Sequence, residues 1–281
     1  MVETFFQRRP FRLRAVDGRA EPPSPEGPSI SLVIPALNEA DGLIHLLPRV
    51  PRLVSELIVV DGGSTDGTVR IVREIRPDAT VLRQSGKGKG DALKCGIAEA
   101  RGEIIVTMDA DGSMNPEDIP RFVASLLAGH DFVKGSRMLA GGGSADFTRL
   151  RRAGNSALTR VGNIIFGSSY TDITFGFNAY WRPTIMHLGE LADGFEFEIQ
   201  AALRAASVGM RTAEVATHEP ARVGGVSKLN PLTDGLAILR IILCEASPRK
   251  GMKLGAAAAP AMAEQIFDEQ FAELSSAAVG S

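Results

Sequence analysis

This sequence predicts an α/β fold in which a mostly parallel central sheet carries helices on both faces. Three observations lead there. Short runs rich in Val and Ile recur through the middle of the chain, stretches with helical periodicity separate them, and carboxylates and glycines gather where the runs stop. Strands buried on both faces need no polar alternation, and parallel neighbours need crossover connections, so this β-α-β-α order reads as a parallel sheet.

Residues 30–34 form the first predicted strand and 56–60 the second. Asp66 can then cap a helix that carries Val69, Val72 and Ile75 on one side. The run 80–82 is the third strand, leading through a Gly-rich turn at 86–91 into a helix with Ala92, Leu93, Ile97 and Ala98. Residues 103–108 make the fourth. Beyond it, Asn115 suits a cap and Pro116 a first helical position, and Ile119, Phe122, Val123, Leu126 and Leu127 fall at i, i+3, i+4, i+7 and i+8. The fifth run is 131–134. In sheets of this kind ligands collect at the carboxyl ends of the strands.

Of the 281 residues, 44% are hydrophobic and 23% charged, too apolar for a disordered chain. A formal charge of -2 leaves no overall positive field to hold nucleic acid, so any anion site is local. Cys95 and Cys244 stand far apart, which argues against a disulfide framework or thiolate zinc site and for a reducing, cytoplasmic setting. No apolar run approaches the roughly 18 residues needed to span a bilayer.

Residues 1–28 read as a basic, Pro-rich arm, 29–253 as the folded domain, and 254–281 as an Ala-rich tail with one amphipathic helix around Ile266, Phe267, Phe271 and Leu274. Leu232, Leu236, Leu239 and Leu243 lie at i, i+4, i+7 and i+11 with basic neighbours. Such a helix suits a membrane interface, a core position or a homodimer contact.

The chemistry sits at the predicted strand ends. Asp61, before Gly62 and Gly63, can accept from a base N–H or ribose hydroxyls, or simply close an Asx-turn. The turn Gly86-Lys87-Gly88-Lys89-Gly90 can bring backbone close to a phosphate or be a solvated turn; it matches neither the P-loop nor the dinucleotide fingerprint. Asp109-Ala110-Asp111 is the strongest signal. Two carboxylates at i and i+2 would repel a diphosphate unless a hard cation, Mg2+ or Mn2+, lay between them. The plainer reading is an Asp-rich turn.

In order and spacing, 33–39 (Val-Ile-Pro-Ala-Leu-Asn-Glu), 59–68, Gly88-Lys89-Gly90 and 108–112 resemble the nucleotide-sugar half of family 2 glycosyltransferases. Further along, Gly135-Ser136-Arg137, 172–177, 194–199 and 222–228 are similar to the branch that contains polyprenyl-phosphate sugar transferases. The resemblance covers about residues 29 to 245. It implies a GT-A-type fold and inverting, metal-dependent transfer from a UDP- or GDP-linked hexose to a polyprenyl phosphate, or to a hydroxyl of a small molecule or glycan. Pro35, Ala36, Glu39 and Asp61 would contact the nucleoside, with Lys89 and Ala110 in the same cofactor pocket. Asp109 and Asp111 would meet ribose and metal-diphosphate, and Arg137, Arg222, Ser227 and Lys228 the phosphates or acceptor. Gly62 stands where the family usually has a second acid, so no nucleobase preference carries over. The membrane helices that follow the catalytic domain in many relatives have no counterpart in this sequence.

A hydroxyl acceptor needs a general base, for which Glu196 is the first candidate and Asp172 the second; an anionic phosphate acceptor needs none. Each can instead be structural, at a helix start and in a turn. His218, before Arg222, is a candidate third metal ligand or a plain surface histidine. A nicotinamide oxidoreductase would need a phosphate fingerprint where Pro35 stands. A nucleotidyltransferase would require a nucleoside triphosphate, and a non-catalytic binder would hold the donor without turning it over.

Overall fold

The computed structural model describes residues 27–222 and 231–246. The expected tail, and all but the last two residues of the expected arm, lie outside them. Strand β1 (Ile30–Ala36) shows why the sheet is central. Leu32 and Ile34 enter one apolar core while Val33, on the opposite side of the pleat, enters a second. Fully burying each such side chain contributes about 1.5–3 kcal/mol, which offsets chain entropy only when both faces are covered.

The covering follows in chain order. Helix α1 (Ala40–Leu46) precedes β2 (Glu56–Asp61), and α2 (Thr68–Ile75) precedes β3 (Thr80–Arg83). Then come α3 (Lys89–Glu99), β4 (Ile104–Thr107), α4 (Ile119–Leu127) and β5 (Phe132–Ser136). Asn115 accepts from the Glu117 amide, capping a 3₁₀ turn that leads into α4. Past β5 lie the two-residue β6 (Gly143–Ser144), α5 (Arg149–Phe166), β7 (Asn178–Trp181) and α6 (Arg182–His187). The chain continues with α7 (Glu196–Ser207), β8 (Thr212–Ala216), the two-residue β9 (His218–Glu219) and α8 (Pro231–Ala246).

Seven strands pair in the order β3-β2-β1-β4-β7-β5-β8, and β6 pairs with β9 apart from them. Within the large sheet only β7 runs antiparallel to its neighbours. Helices α1, α2 and α4 cover one face, and α3, α6, α7 and α8 the other. The five predicted strands are all present within about two residues at their ends, whereas β7 and β8 were not anticipated. Both are short, and β7 inserts between β4 and β5, a pairing that local pattern does not encode.

Helix α8 packs on α5 and α7 through Ile238, Ile241 and Ile242, and Arg204 of α7 pairs with Glu245 at its end. Leu236 and Leu243 face outward, so one side of the helix does core duty while the other stays open. The side chain of Leu232 lies outside the described residues. Among those residues, no helix is long and apolar enough to cross a membrane.

Candidate active site

The parallel register brings the ends of β1, β2 and β4 together, with Ala36 beside Asp61. Polar bonds then clasp the first two loops. Asn38, in the left-handed region at φ 57, accepts from the Thr65 amide at 2.8 Å, and its own amide donates to Ser64 Oγ at 2.9 Å. The Glu39 amide donates to Thr68 Oγ1 at 3.0 Å, and the Ala40 amide to Asp66 at 3.0 Å. Asp66 also accepts from the Thr68 amide at 2.9 Å, so it serves the starts of two helices. Asp61 is buried and accepts from the amides of Gly63 and Ser64, an Asx-turn. Pro35 and Ala36 form the floor between these loops.

The turn Asp109-Ala110-Asp111 follows β4 at the centre of this rim. Asp111 is buried; its Oδ1 accepts from the Ser113 amide at 3.0 Å and its Oδ2 lies 3.2 Å from Arg222. Asp109 pairs with Lys89 at the start of α3, and the same ammonium reaches the buried Glu198 of α7 at 3.0 Å. Burial lowers the tendency of Lys89 to stay charged, but the two carboxylates overcome it and raise its pKa. Behind the turn, Gly42 of α1 touches it directly. A Cβ there would fall on the Ala110 carbonyl oxygen and 2.7 Å from Asp111 Cα. Gly42→Ala is therefore expected to cost about 1–3 kcal/mol as the helix and turn separate. Thermal unfolding measures that cost, and donor binding is expected to weaken with it because Asp111 moves.

Glu39 carries the electrostatic record of the site. Burial first, then Asp111, Asp109 and Asp66, push its carboxyl up from 4.5 to about 7, against a lowering pull from Arg222. The folded chain holds this proton more tightly than the unfolded one, so stability falls as pH rises from 4.5 to about 7 and stays lower above it. Glu39→Gln is thus expected to raise the unfolding temperature at about pH 8 and leave it unchanged near about pH 4.5. An equal difference at both pH values would remove Glu39 from the acidic cluster.

The Gly-rich turn is neither a free loop nor a P-loop. Gly88 and Gly90 lie flat against the backbone of 192–194, where any Cβ would overlap the Ala192 and Asp193 carbonyl oxygens, and the Asp91 amide donates to Asp193 at 2.9 Å. Close packing sets those glycines, and it delivers Lys89 to Asp109.

Three expected roles meet a different arrangement. Asp172 is fully buried and bridges Arg137, at 2.7 Å, and the Asn155 side-chain amide, at 3.0 Å, so its carboxylate is already paired in this arrangement. Burial pushes that carboxyl up, but Arg137 overrides it and holds it below the usual range. Arg137 also reaches Glu219 at 3.2 Å and lies over the rings of Phe147 and Phe175, so its guanidinium is held in a buried network. His218 is exposed with its ring against Gly143 and does not join Asp109 and Asp111; among the described residues no group of three or more His, Cys, Asp or Glu is arranged to hold a metal. Ser227 and Lys228 lie outside the described residues. Glu196 is half-buried at the start of α7, its carboxylate folded back over Gly194.

Glu198, two residues on, is the acid that reaches the Asp109 cluster. A signal for it exists: it heads the buried stripe 198, 201, 202 and 205 of α7, where an unpaired carboxylate would be costly. Asp146, 3.7 Å from Arg222, carries no comparable sequence mark.

Comparison with known proteins bears directly on this rim. The family model described as glycosyl transferase family 2 matches residues 31–189, which contain the loops after β1, β2, β3 and β4 but not α7, His218, Glu219 or Arg222. A dolichyl-phosphate hexose transferase of Haloferax volcanii is 30% identical over 217 residues, 76% of this chain and 92% of that protein. A polyprenol monophosphomannose synthase of Mycolicibacterium smegmatis is 32% identical over 71% of this chain and 80% of its own length. Among solved structures, glucosyl-3-phosphoglycerate synthase from Mycobacterium tuberculosis, in complex with Mn2+, uridine diphosphate and phosphoglyceric acid, superposes with a TM-score of 0.60 at 26% identity, covering 80% of this chain and 81% of that one. A mostly parallel sheet of the GT-A type, the acidic turn at the end of its fourth strand and relatives that match most of their length agree: this chain is a glycosyltransferase and belongs to glycosyl transferase family 2.

Proposed function

We propose that this enzyme transfers a hexose, with inversion, from a nucleoside diphosphate sugar to a polyprenyl phosphate at the cytoplasmic face of a membrane. The observation that carries the reading is the Asp109–Asp111 turn, set at the end of β4 beside the end of β1, with Lys89 and Arg222 on its two carboxylates. On this reading Pro35, Ala36, Glu39 and Asp61 line the nucleoside end, Asp109 faces the ribose, and Arg222 moves toward the diphosphate. Lys228 and Ser227 would approach from the segment that follows Arg222.

The donor set suits Mg2+ or Mn2+. Both take hard oxygen ligands, and such cations in nucleotide sites need only one or two protein carboxylates, the remainder coming from phosphates and water. Burial first, and then Asp111 and Asp109, raise the Glu39 pKa, so the turn adds negative charge to its surroundings. Asp111 is the first ligand by burial and position, with Asp109 beside it. When bound, the cation would stabilise charge on the departing diphosphate. The chain's own part is to orient the donor through the two clasped loops and to present Arg222 to the same charge.

Acceptor choice draws on the relatives and on the outer surface. The names of two relatives specify dolichyl phosphate and polyprenol phosphate chemistry. Helix α5 begins three residues after Asp146, which neighbours Arg222, and turns Leu150, Ala153, Ala157 and Ile164 to solvent, with Arg149, Arg152 and Arg160 alongside. Leu150 is 67% and Ile164 75% exposed, and Leu236 of α8, which packs on α5, is 69% exposed. Apolar helix faces flanked by arginine suit peripheral contact with anionic lipid.

The test is a transfer assay with purified protein, Mn2+ and radiolabelled sugar nucleotides, run with short-chain polyprenyl phosphates and in parallel with soluble hydroxyl acceptors. Label is expected in the lipid phosphate, and Glu196→Gln is expected to retain transfer because an anionic acceptor needs no base. Label only in an alcohol, with Glu196→Gln slowed by roughly 10²- to 10⁴-fold, would instead favour a soluble acceptor, as the phosphoglyceric acid in the solved neighbour's complex suggests.

A further inference from the structure

Glu198 is nearly inaccessible, and both of its carboxylate oxygens lie 3.0 Å from the Lys89 ammonium. Its position is made possible by Gly176, in the segment before β7: a Cβ at 176 would lie 2.5 Å from Glu198 Oε1 and 2.8 Å from Lys89 Nζ. Two elements distant in sequence, 176 and 198, thus shape a slot around one ammonium, and that ammonium also holds Asp109. A buried carboxylate is expensive unless it is paired with an opposite charge. Here the partner is a cation that would otherwise belong wholly to Asp109.

We propose that Glu198 is a positioning residue that acts through Lys89: by sharing the ammonium with Asp109, it leaves the Asp109–Asp111 turn enough negative charge to take up a divalent cation. This inference rests on the proposed cation role of that turn. Without Glu198, Lys89 neutralises Asp109 alone and competes with the divalent ion for it. The effect is local, since a lysine at an ion pair with one acid is a stronger competitor than the same lysine held between two.

Glu198 also carries charge of its own, so the experiment must separate its direct field from its effect through Lys89. Mn2+ alone is the probe, with free Mn2+ followed by electron paramagnetic resonance, and thermal unfolding is recorded for each variant. Glu198→Gln is expected to weaken Mn2+ binding about tenfold in the wild-type background and by less than about twofold in a Lys89→Met background, a coupling read from the cycle of wild type, both single variants and the double variant. Asp109, whose side chain is 27% exposed, keeps contact with water when Lys89 is removed, and Lys134 remains beside Glu198 in Lys89→Met, so thermal unfolding records what each change costs. Gly176→Ala keeps all three charges and is expected to reproduce the loss by displacing the pair. A purely structural role for Glu198 would lower the unfolding temperature without this pattern of Mn2+ affinities. Equal weakening by Glu198→Gln in the wild-type and Lys89→Met backgrounds would overturn the inference alone, since Glu198 would then act by its own charge. Wild-type protein that takes up no Mn2+, or whose uptake survives Asp111→Asn, would overturn the cation reading and this inference together.

Discussion

Asp111→Asn is expected to lower turnover by roughly 10²- to 10³-fold, the scale on which a single charge-stabilising group acts. Asn retains the size of the side chain and its carbonyl oxygen, so the bond from the Ser113 amide survives and the turn keeps its shape. What is lost is the charge that a divalent cation requires. Arg222 loses one partner but keeps Asp146 and is 30% exposed, so it is not stranded in the interior. The unfolding temperature is therefore expected to move by only a few degrees while metal-dependent donor binding collapses. Isothermal titration of uridine and guanosine diphosphates with and without Mn2+, beside steady-state kinetics, separates the two effects. Wild-type affinity and turnover in this variant would refute a metal-diphosphate role for the turn.

Arg137→Met should behave in the opposite way, with the largest loss in stability. Its guanidinium, 9% exposed, joins the buried Asp172 and Glu219 and is flanked by two aromatic rings. Removing the cation leaves two carboxylates uncompensated in the interior, a change that costs about 3–5 kcal/mol. At about 2–4 °C per kcal/mol for a chain of this size, the unfolding temperature is expected to fall by roughly 10 °C. Adding Asp172→Asn to Arg137→Met should recover part of the loss, because one stranded charge is then gone. Calorimetry of the single and double variants reads this directly. Unchanged stability with lost diphosphate binding would return Arg137 to the phosphate role that its sequence neighbours suggest.

These two arginines mark where sequence stops. Arg137 and Arg222 look alike in the chain, each near a glycine and each within a stretch that resembles the same family. Tertiary structure assigns one to a closed network with Asp172 and the other to the open rim beside Asp111. Burial decides the difference, and burial depends on elements that meet only in the folded molecule. The same holds for Glu196 and Glu198, two carboxylates within one turn of the same helix. Helical geometry points them about 200° apart, so one sits at the helix start over Gly194 and the other reaches Lys89 across the slot left by Gly176.

By itself the sequence determined the strand ends and their contents. Val- and Ile-rich runs with no polar alternation specify strands buried on both faces, and the residues that follow each run must then lie on the carboxyl edge, which is why Asp61 and the Asp109–Asp111 turn were legible before any coordinates. It also determined the family, because several motifs recur in one order. Only the tertiary structure decided that β7 enters antiparallel between β4 and β5, that His218 stands outside the acidic pair, and that Lys89 is shared by Asp109 and Glu198. The physical reason is range: periodicity and turn chemistry act over a few residues, whereas the placement of a charge is set by which desolvated partners it meets from across the fold.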